Sequence, residues 1–593
     1  MIRWHKSDWG TVVAHWLGVA LVVFLTATGL KLLADEPDYR WLSGIAEYAP
    51  GGDPWYRHIV SGYAFAAVAV FYIAYIAKAG LSSRIVLDSA RLKGLLHGGK
   101  PFWSSLNLIA TWIFFFAALV CIITGFFLSA GFDAELLFWH VVGFWIVVAF
   151  PIVHVLLHLR IGGVGQIARI FRPTRLMRSP PAIALEEIIQ RLLSERSGIA
   201  HTVSNEPRLA AKVRTSRWRH PATIGMIALI LVLSASLGFD QLLGRPLVAA
   251  AIENGEAPVL DGDLAEAVWS NAEPIVFKAG HGGDFGGTGE TTFEVRAVHD
   301  RRNIYFAVKW SDPTRSLQAT PMRKEHGRWK IVGDPSNQTD GEYLAGDRLA
   351  MMAASPGRAL IGGAIHLGRT PIEGGPQPAS GRGLHYMKNN RGIVDVWQWS
   401  PAADAAAGFA DDGYIGEPLP YDEAQVSGLK PYRGGFSQDR LPGVSEPNIL
   451  TDNPTSEHVV PKRLPDHPSV GTSLAKRLKL DPTHSGSIDE TDNWGMSESR
   501  SRPYSKSIDR SIPNGAVLPG VVVNDLTATG QSEVATAGKW AGGAWVVEIR
   551  RPLATEDTND VAIRSGVLLW FAAFDQSPTR HSYHLRPLIM ELD

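Results

Sequence analysis

Cysteine is almost absent from this sequence: Cys121 is the only one among 593 residues. A single thiol excludes a disulfide framework, a four-cysteine zinc site and a cysteine-ligated iron–sulfur cluster. It also excludes the C-x-x-C-H motif through which a haem is attached covalently. Any redox cofactor of this protein must therefore be held without thiols.

Net charge is nearly absent as well, at −1, but the charges are unevenly distributed. Residues 1–243 carry 22 Lys and Arg against 14 Asp and Glu, whereas the other 350 residues carry 35 against 44. The acidic part has no basic run with interleaved aromatics, which argues against nucleic-acid binding. With 46% hydrophobic residues and a mean hydropathy of +0.01, the composition predicts a basic membrane domain joined to an acidic water-soluble one.

Motifs of the common enzyme classes are missing too. The sequence has no P-loop, no G-x-G-x-x-G followed by a helix, no convincing Ser–His–Asp set, and no molybdenum, flavin or iron–sulfur motif. The glycine-rich GGTGE at 286–290 precedes a strand pattern and predicts a turn. Substrate chemistry is therefore expected in another subunit, and whether this chain is itself an enzyme stays open.

Five apolar segments are long enough to cross a bilayer, which needs about 20 residues of helix. The first lacks a small-residue cleavage site before Ala34, so we interpret it as a retained helix rather than a signal peptide. The five predicted spans are Trp9–Leu33, His58–Ala77, Leu106–Ala130, Phe138–His158 and Pro221–Leu243.

Lys and Arg in the short loops predict the orientation of these spans, because loops rich in them face the cytoplasm. The stretch 78–105 carries five basic residues and one acidic residue, and 159–220 carries twelve against four. The N-terminus and both basic loops are therefore expected in the cytoplasm, with the C-terminal domain in the periplasm of a bacterial inner-membrane protein. The predicted regions are a four-helix bundle at 1–160, a basic loop at 161–220, a fifth span at 221–243 and a soluble domain at 254–593.

Histidines are nearly the only ionisable residues inside the spans, where such residues are costly and usually functional. His140 and His154 are fourteen residues apart, which is close to four turns or about 21 Å, so they share a face at two depths. Given the span directions, His15 matches the depth of His154, and His58 matches that of His140. Facing imidazoles at two depths are what two stacked b-type haems need. The alternative is that these histidines form hydrogen bonds between helices.

The span order and the H-x13-H spacing resemble the cytochrome b561 superfamily, in particular the di-haem membrane subunits of formate dehydrogenases and hydrogenases. The resemblance covers about residues 1–200. It implies that the four histidines are haem ligands and that a quinone binds near the cytoplasmic haem. Asn107 matches a family asparagine at the quinone pocket, although it could equally cap its helix. His158, one turn after His154, could contact a haem propionate or the quinone, or lie at the membrane interface.

From about residue 254 the apolar residues recur with a period of two, as in TTFEVRAVHD and NIYFAVKWSD. Further strand-like runs are RLAMMA, ALIGGAIHLG, IVDVWQWS, GAWVVEIRRPL and GVLLWFAAFD. Short strands separated by Gly- and Pro-rich turns predict an all-β antiparallel sandwich. Residues 400–519 hold few such runs and are predicted to be an insertion that wraps the sandwich or contacts a partner.

The opening PVLDGDLAEAVWSNAEPI, followed by VRAVHD, YFAVKWSD and DVWQW, resembles the haem-binding subunit family of ethylbenzene dehydrogenase. The resemblance spans most of 254–593, and that family is a β-sandwich that holds one b-type haem outside the membrane. The same opening occurs in carbohydrate-binding modules of similar fold, so a binding-only function stays open. Fusion to a di-haem membrane cytochrome favours a third haem.

The related subunits bind their haem through a methionine just before the V-D-x-W-x-W strand and a lysine near the C-terminus. Met387, in HYMKNNRGIVDVWQW, matches the methionine. The C-terminal TRHSYHLRPL has no lysine, so the resemblance leaves His581 or His584 as its replacement. Three other histidines remain candidates: His385, His281 and His366.

These observations predict a membrane-bound b-type cytochrome that transfers electrons between the quinone pool and an extracytoplasmic redox protein or catalytic subunit. The expected cofactors are two haems b in the membrane domain and one in the soluble domain, with quinone as substrate. Such a chain would be the electron-transfer subunit of a quinone-linked oxidoreductase. Two other functions stay open: a membrane-anchored carbohydrate- or ligand-binding module, and a haem-dependent metal reductase.

Overall fold

The structure is a computed structural model that divides into two compact units. Unit 1 comprises residues 1–30, 58–126 and 135–239, and unit 2 comprises 31–57, 127–134 and 240–593. The residues described are 7–34, 37–46, 54–82, 85–130, 135–171, 173–174, 220–253, 256–280, 282–283, 285–332, 346–355, 375–376, 385–387, 392–402, 407–427, 432–439, 443–450, 458–471, 473, 486–487, 494–524, 533–577, 580–584 and 586–593. Residues 175–219 of the predicted basic loop and the strand-like run ALIGGAIHLG lie outside them.

Five helices among the described residues are long and apolar enough to cross a membrane, which confirms the predicted number of spans. Their bounds are α1 (Trp9–Leu33), α2 (Pro54–Ala79), α3 (Lys100–Ser129), α4 (Glu135–Ile167) and α5 (Pro221–Leu242). Several helices are longer than the predicted apolar spans because charged residues at their ends are also helical. The regular part of α4 ends at Gly162 and Gly163, and Gly163 has a φ of 64° that favours glycine.

Shorter helices and one pair of two-residue strands accompany these spans. The strand Ser7–Asp8 pairs in parallel with Pro173–Thr174 in unit 1. The short helices are Pro37–Leu42, Ser43–Ala46, Ser89–Leu92, Lys93–Leu96, Ala168–Phe171, Ala267–Asn271, Glu423–Val426, Glu498–Arg500 and Lys506–Ser511.

Side-chain contacts fix the register between neighbouring antiparallel helices. Between α1 and α2, the Tyr75 hydroxyl donates to Oδ1 of Asp8, the residue just before α1, at 2.6 Å, and Thr28 contacts His58 further along. In α3 and α4, three contacts follow one register along the helices: Thr124 with His140, Phe114 with Phe150, and Trp103 with Arg160. This register brings Asn107 level with Leu157.

Unit 2 is rich in strands, most of them paired antiparallel. The strands are β1 (Arg245–Ala251), β2 (Ile275–Ala279), β3 (Thr291–His299), β4 (Asn303–Ser311), β5 (Met322–Glu325), β6 (Arg328–Ile331), β7 (Arg348–Ala354), β8 (Val394–Trp399), β9 (Asp411–Ile415), β10 (Phe436–Gln438), β11 (Ser445–Pro447), β12 (Arg463–Pro465), β13 (Gly486–Ser487), β14 (Gly495–Ser497), β15 (Ser501–Pro503), β16 (Val517–Leu518), β17 (Val521–Val523), β18 (Ala535–Ala541), β19 (Ala544–Pro552), β20 (Leu568–Phe574), β21 (Ser582–Tyr583) and β22 (Leu588–Leu592).

The largest sheet has fourteen strands among the described residues. Twelve follow the order β10-β9-β8-β7-β20-β22-β1-β3-β4-β19-β18-β13, while β2 pairs with β3 and β21 with β20. The pairs β22–β1 and β1–β3 are parallel exceptions. Parallel neighbours need a long crossover, and most of the domain lies between β1 and β22 in sequence.

The two halves of this sheet face each other across one apolar core, as in a sandwich. Three aromatic pairs join strands of one half to strands of the other, with ring centroids 6.1–6.4 Å apart: Phe293 with Phe571, Phe306 with Trp397, and Trp310 with Trp399. Phe293, Phe306 and Trp310 are fully buried, and burial of each such side chain contributes roughly 2–3 kcal/mol. The predicted fold class, an all-α membrane bundle plus a largely antiparallel β-sandwich, is confirmed.

The described part of 400–519 does two things. Strands β9 and β10 extend the large sheet next to β8. Later residues pack with β5 and β6 into a second apolar core, formed by Met322, Trp329, Ile331, Val459, Leu464, Ile512, Ala516 and Leu518.

Candidate functional site

Two histidines from different helices lie close together in unit 1. His58 near the start of α2 and His140 near the start of α4 have ring centroids 6.1 Å apart, with their planes at 71°. The Nδ1 of His58 lies 2.9 Å from Thr28 Oγ1 of α1, and the Nδ1 of His140 lies 2.9 Å from Thr124 Oγ1 of α3. We refer to these four residues as the 58/140 level.

The two threonines determine which nitrogen of each imidazole carries the proton. A threonine hydroxyl has one hydrogen, and here it is used by the preceding turn: Thr28 Oγ1 is 3.0 Å from the carbonyl of Phe24, and Thr124 Oγ1 is 2.7 Å from that of Val120. Each hydroxyl therefore accepts a hydrogen bond from the Nδ1–H of its histidine. This arrangement leaves the lone pair on Nε2, the form in which a neutral imidazole binds a metal.

Each of these threonines is followed by a glycine that lets the imidazole approach the helix. A Cβ at Gly29 would lie 3.2 Å from His58 Cε1, and a Cβ at Gly125 would lie 3.0 Å from His140 Cε1. Both distances are shorter than ordinary contact, so a larger residue would push the ring away. Sequence reasoning missed these pairs, although a Thr-Gly dipeptide repeated in two predicted spans could have revealed them.

Three further histidines lie together at a second level of the bundle, about 20 Å from the 58/140 level along the helices. His15 is thirteen residues before Thr28, and His154 is fourteen after His140, which brings both to the same depth. His15 is within electrostatic range of His154 and of His158. The rings of His154 and His158 meet edge to face at 4.4 Å. We refer to His15, His154 and His158 as the 15/154 level.

Unpartnered polar atoms accumulate at the 15/154 level. The Nδ1 atoms of His154 and His158 and the Oδ1 of Asn107 are buried and have no hydrogen-bond partner among the described residues. The register of α3 and α4 brings Asn107 level with the helical turn that carries both histidines. Because buried polar groups nearly always have a partner, this level has the chemistry of a binding site for a polar ligand.

In unit 2, Met387 is buried in an apolar cluster on the face of the sheet opposite the main core. The other buried members of this cluster are Ala354, Val394, Val396, Ile415, Leu568 and Trp570. The backbone N–H of Met387 donates to the carbonyl of Gly416 at 2.7 Å, which fixes the segment against the end of β9. His385, two residues earlier, is exposed, and His281 and His366 lie outside the described residues.

The two C-terminal histidines flank β21 and differ in their surroundings. The ring of His581 lies 4.9 Å from that of Phe574. Both ring nitrogens of His584 bond to backbone: Nδ1 donates to the Arg586 carbonyl at 2.7 Å, and Nε2 accepts from the Phe571 N–H at 2.9 Å. Burial lowers the pKa of His584 to about 4 and keeps the ring neutral. His584 therefore has no lone pair available for a metal, whereas His581 stays a candidate.

Met387 and His581 lie on the same face of the large sheet. Trp570 and Phe574 are four residues apart on that strand, so their side chains share one face and lie about 13 Å apart. Met387 packs in the cluster that contains Trp570, and His581 packs against Phe574. The structure thus brings these two predicted residues to one surface and directs His584 to the core side, against Phe571.

The fold and the two histidine levels define a class: a membrane helical bundle that carries paired imidazoles, joined to a β-sandwich domain. Residues 6–173 match the family model for prokaryotic cytochrome b561, and residues 266–586 match that for ethylbenzene dehydrogenase. The chain belongs to the ethylbenzene dehydrogenase family, and its N-terminal domain is a prokaryotic cytochrome b561 domain. It is a transmembrane b-type cytochrome with a dehydrogenase-like haem domain, so the suspected fusion is confirmed.

Solved structures resemble the chain only weakly. A protein from Bacteroides uniformis described as carbohydrate-binding is 8% identical with a TM-score of 0.23, covering 59% of this chain and 100% of its own. A family 9 carbohydrate-binding module from Caldicellulosiruptor kristjanssonii, in complex with glucose, is 10% identical with a TM-score of 0.20, covering 59% and 96%. Scores this low bear on neither fold nor function. No curated protein matches.

The cytochrome b561 family binds haem b, and the 58/140 level fits that group. Two metal–nitrogen bonds of about 2 Å, plus about 1 Å from each nitrogen to its ring centre, would place the ring centroids about 6 Å apart. The observed separation is 6.1 Å. His58 and His140 would hold the iron through Nε2, and the haem would supply reversible one-electron transfer.

Proposed function

We propose that this protein carries electrons across the bacterial inner membrane, between the quinone pool and a redox partner outside the cytoplasm. The observation that carries this proposal is the presence of two histidine levels about 20 Å apart within one helical bundle. Bis-imidazole ligation at both levels leaves no open coordination position, which suits electron transfer rather than oxygen chemistry. Two haems b at these depths would cover most of the roughly 30 Å hydrocarbon core.

The direction in which the bundle faces follows from loop charge. The loop at 159–220 has twelve basic residues against four acidic ones, so the positive-inside rule assigns it to the cytoplasm. The 15/154 level is then cytoplasmic, the 58/140 level is extracytoplasmic, and the domain at 254–593 faces the periplasm. A reporter fused after residue 593 should be active only outside, and one inserted near residue 180 only inside. An inside C-terminus would contradict this orientation and the assignment of both levels.

A quinone at the 15/154 level is the proposed electron donor or acceptor. Quinone oxygens need hydrogen-bond donors, and quinol hydroxyls need acceptors. The unpartnered Nδ1 of His158 and the side-chain amide of Asn107 can supply both. In this proposal His15 and His154 hold the cytoplasmic-side haem, while His158 and Asn107 bind the quinone head group.

A third haem b in the soluble domain is proposed between Met387 and His581. Support comes from their position on one face of the large sheet and from the apolar cluster around Met387, which would exclude water. A thioether is a soft, neutral ligand that stabilises ferrous iron, so this centre would titrate above the two bis-imidazole haems. Electrons would then run favourably from quinol to the outside.

Haem counting tests the whole proposal. A pyridine-haemochrome assay of the purified full-length protein should give three haems b per chain, and reduced-minus-oxidised spectra should resolve the bis-imidazole pair. A protein isolated without haem would end the proposal. Two haems per chain, both lost with the membrane ligands, would leave the soluble domain as a binding module.

A further inference from the structure

Three aspartates meet where strands of the β-sandwich end. Asp312 follows β4 directly, Asp347 precedes β7 directly, and Asp575 follows β20 directly. Strands β7 and β20 pair with Phe574 opposite Arg348, which makes Asp347 and Asp575 neighbours. One carboxylate oxygen of each aspartate lies within 4.8 Å of the other two, and all three residues are fully buried. We refer to them as the carboxylate trio.

Each carboxylate of the trio is held in place by N–H groups on one of its oxygens. The donors and distances are Thr314 N to Asp312 Oδ1 at 3.0 Å, Ser316 N and Trp545 Nε1 to Asp347 Oδ2 at 2.7 and 2.9 Å, and Phe285 N to Asp575 Oδ2 at 2.6 Å. Such contacts orient a carboxylate, as the partners behind metal ligands commonly do.

The remaining oxygens point to a ligand. In the part of the chain that the structure describes, Asp312 Oδ2 and Asp347 Oδ1 are buried and have no hydrogen-bond partner. The indole N–H of Trp310 lies near the Asp312 carboxyl and is itself buried without a hydrogen-bond partner among the described residues. A buried, unpartnered carboxylate oxygen costs free energy that folding does not recover. Both oxygens belong to fully buried side chains. They therefore need a partner, and the described protein atoms do not supply one.

The charges of the trio also indicate a bound ligand. Among the described residues, no Lys, Arg or His forms an ion pair with Asp312 or Asp347. Burial, together with the neighbouring charge of Asp575, raises the pKa of Asp312 to about 8. Burial and the charges of Asp312 and Asp575 raise the pKa of Asp347 well above its usual range. Three carboxylates this close must take up protons or share a cation.

A second cluster of aspartates in the same domain shows the other solution. Asp395, Asp412 and Asp560 also approach within 4.8 Å. The guanidinium of Arg551 lies 2.8 Å from Asp395 Oδ2 and 2.9 Å from Asp560 Oδ2. This cluster also has buried oxygens without a hydrogen-bond partner among the described residues, on Asp395, Asp412 and Asp560. It differs in that a guanidinium pairs with two of its carboxylates, whereas no described cation pairs with Asp312 or Asp347, so it provides a control.

We propose that the carboxylate trio binds a calcium ion that ties together the ends of β4, β7 and β20. The donors are all oxygens, with no His or Cys, which favours a hard cation over zinc or copper. Calcium accepts irregular sets of six to eight oxygens, whereas magnesium demands near-ideal octahedral geometry and keeps its waters. An ion bound here stabilises only the folded domain, because the three ligands are far apart in the unfolded chain.

The test uses the full-length protein, depleted of metal on a chelating resin at pH 7.5. Calcium content, thermal unfolding with and without Ca²⁺, and Tb³⁺ luminescence excited through tryptophan are compared for wild type, Asp312→Asn, Asp347→Asn and the control Asp412→Asn. Trp545 contacts Asp347 and would sensitise a bound Tb³⁺. Asparagine keeps the shape of aspartate and the oxygen that accepts from Ser316 N–H.

Wild type should hold one calcium more per chain than either trio variant, and the trio variants should bind Tb³⁺ at least tenfold more weakly. At a Ca²⁺ concentration 100 times its Kd, the folded-to-unfolded ratio of wild type should rise about 100-fold. Asp412→Asn should bind like wild type. Equal calcium in wild type and Asp347→Asn, or an unfolding temperature of wild type that Ca²⁺ does not change, would overturn the proposal in favour of protonated carboxyls. The wild-type arm decides the matter even if a variant does not fold.

Discussion

Replacing Thr124 by valine should raise the reduction potential of the haem at the 58/140 level without removing it. Valine has nearly the shape of threonine but no hydroxyl, so the Nδ1–H of His140 loses the acceptor that lies 2.9 Å away. A hydrogen bond from this N–H makes the imidazole a stronger donor and favours ferric iron, so its loss favours ferrous iron. One such bond contributes about 0.5–1.5 kcal/mol, which for a one-electron couple corresponds to roughly 20–65 mV.

The assay is a redox titration of the purified protein followed in the visible spectrum, in which the potential of the 58/140 haem in each variant is compared with that in wild type. Thr111→Val is the matched control, because its hydroxyl also bonds to the preceding turn of α3, at 2.8 Å from the Asn107 carbonyl, with no imidazole contact among its hydrogen bonds. Thr28→Val should shift the same haem in the same direction through His58. If Thr124→Val moves the potential no more than Thr111→Val does, the hydroxyl does not act on the ligand.

Three other outcomes are expected. His154→Ala should remove the haem of the 15/154 level and spare the other, while His140→Ala should do the reverse. Haem content and visible spectra of both variants check this. A variant that keeps the haem of its own level and loses the other would refute the pairing. Met387→Ala should abolish or shift only the spectrum of the soluble-domain haem, and an unchanged spectrum would exclude Met387 as a ligand. The pKa of His584 is about 4 in the folded chain against about 6.5 in the unfolded chain. Because the unfolded chain takes up this proton first, the free energy of unfolding of the β-sandwich should fall by up to roughly 3 kcal/mol as pH falls from 6.5 to 4. Tryptophan-monitored unfolding of His584→Phe should show a flatter pH dependence than that of the exposed-site control His467→Gln, and an unchanged slope would contradict the argument.

Much of this protein is determined by local sequence. Five apolar runs of about 20 residues predict five helices, because hydropathy and helix length depend only on neighbours along the chain. Alternation in TTFEVRAVHD and NIYFAVKWSD likewise predicts β3 and β4, since a strand with one buried face has a period of two. The depths of His15, His58, His140 and His154 follow from the same local arithmetic once the span directions are known.

Tertiary structure decided what depends on contacts between distant segments. The roles of Thr28 and Thr124 exist only because α1 approaches α2 and α3 approaches α4, and each threonine alone looks like an ordinary membrane residue. The sequence RHSYH does not distinguish the two C-terminal histidines. The pairing of β20 with β21 brings His584 against the backbone, where both of its ring nitrogens form hydrogen bonds. The carboxylate trio joins residues from three separate segments, the outer two 263 positions apart, and no spacing rule relates them. Such contacts are set by how the sheet closes on itself, which is a property of the whole domain and not of any segment.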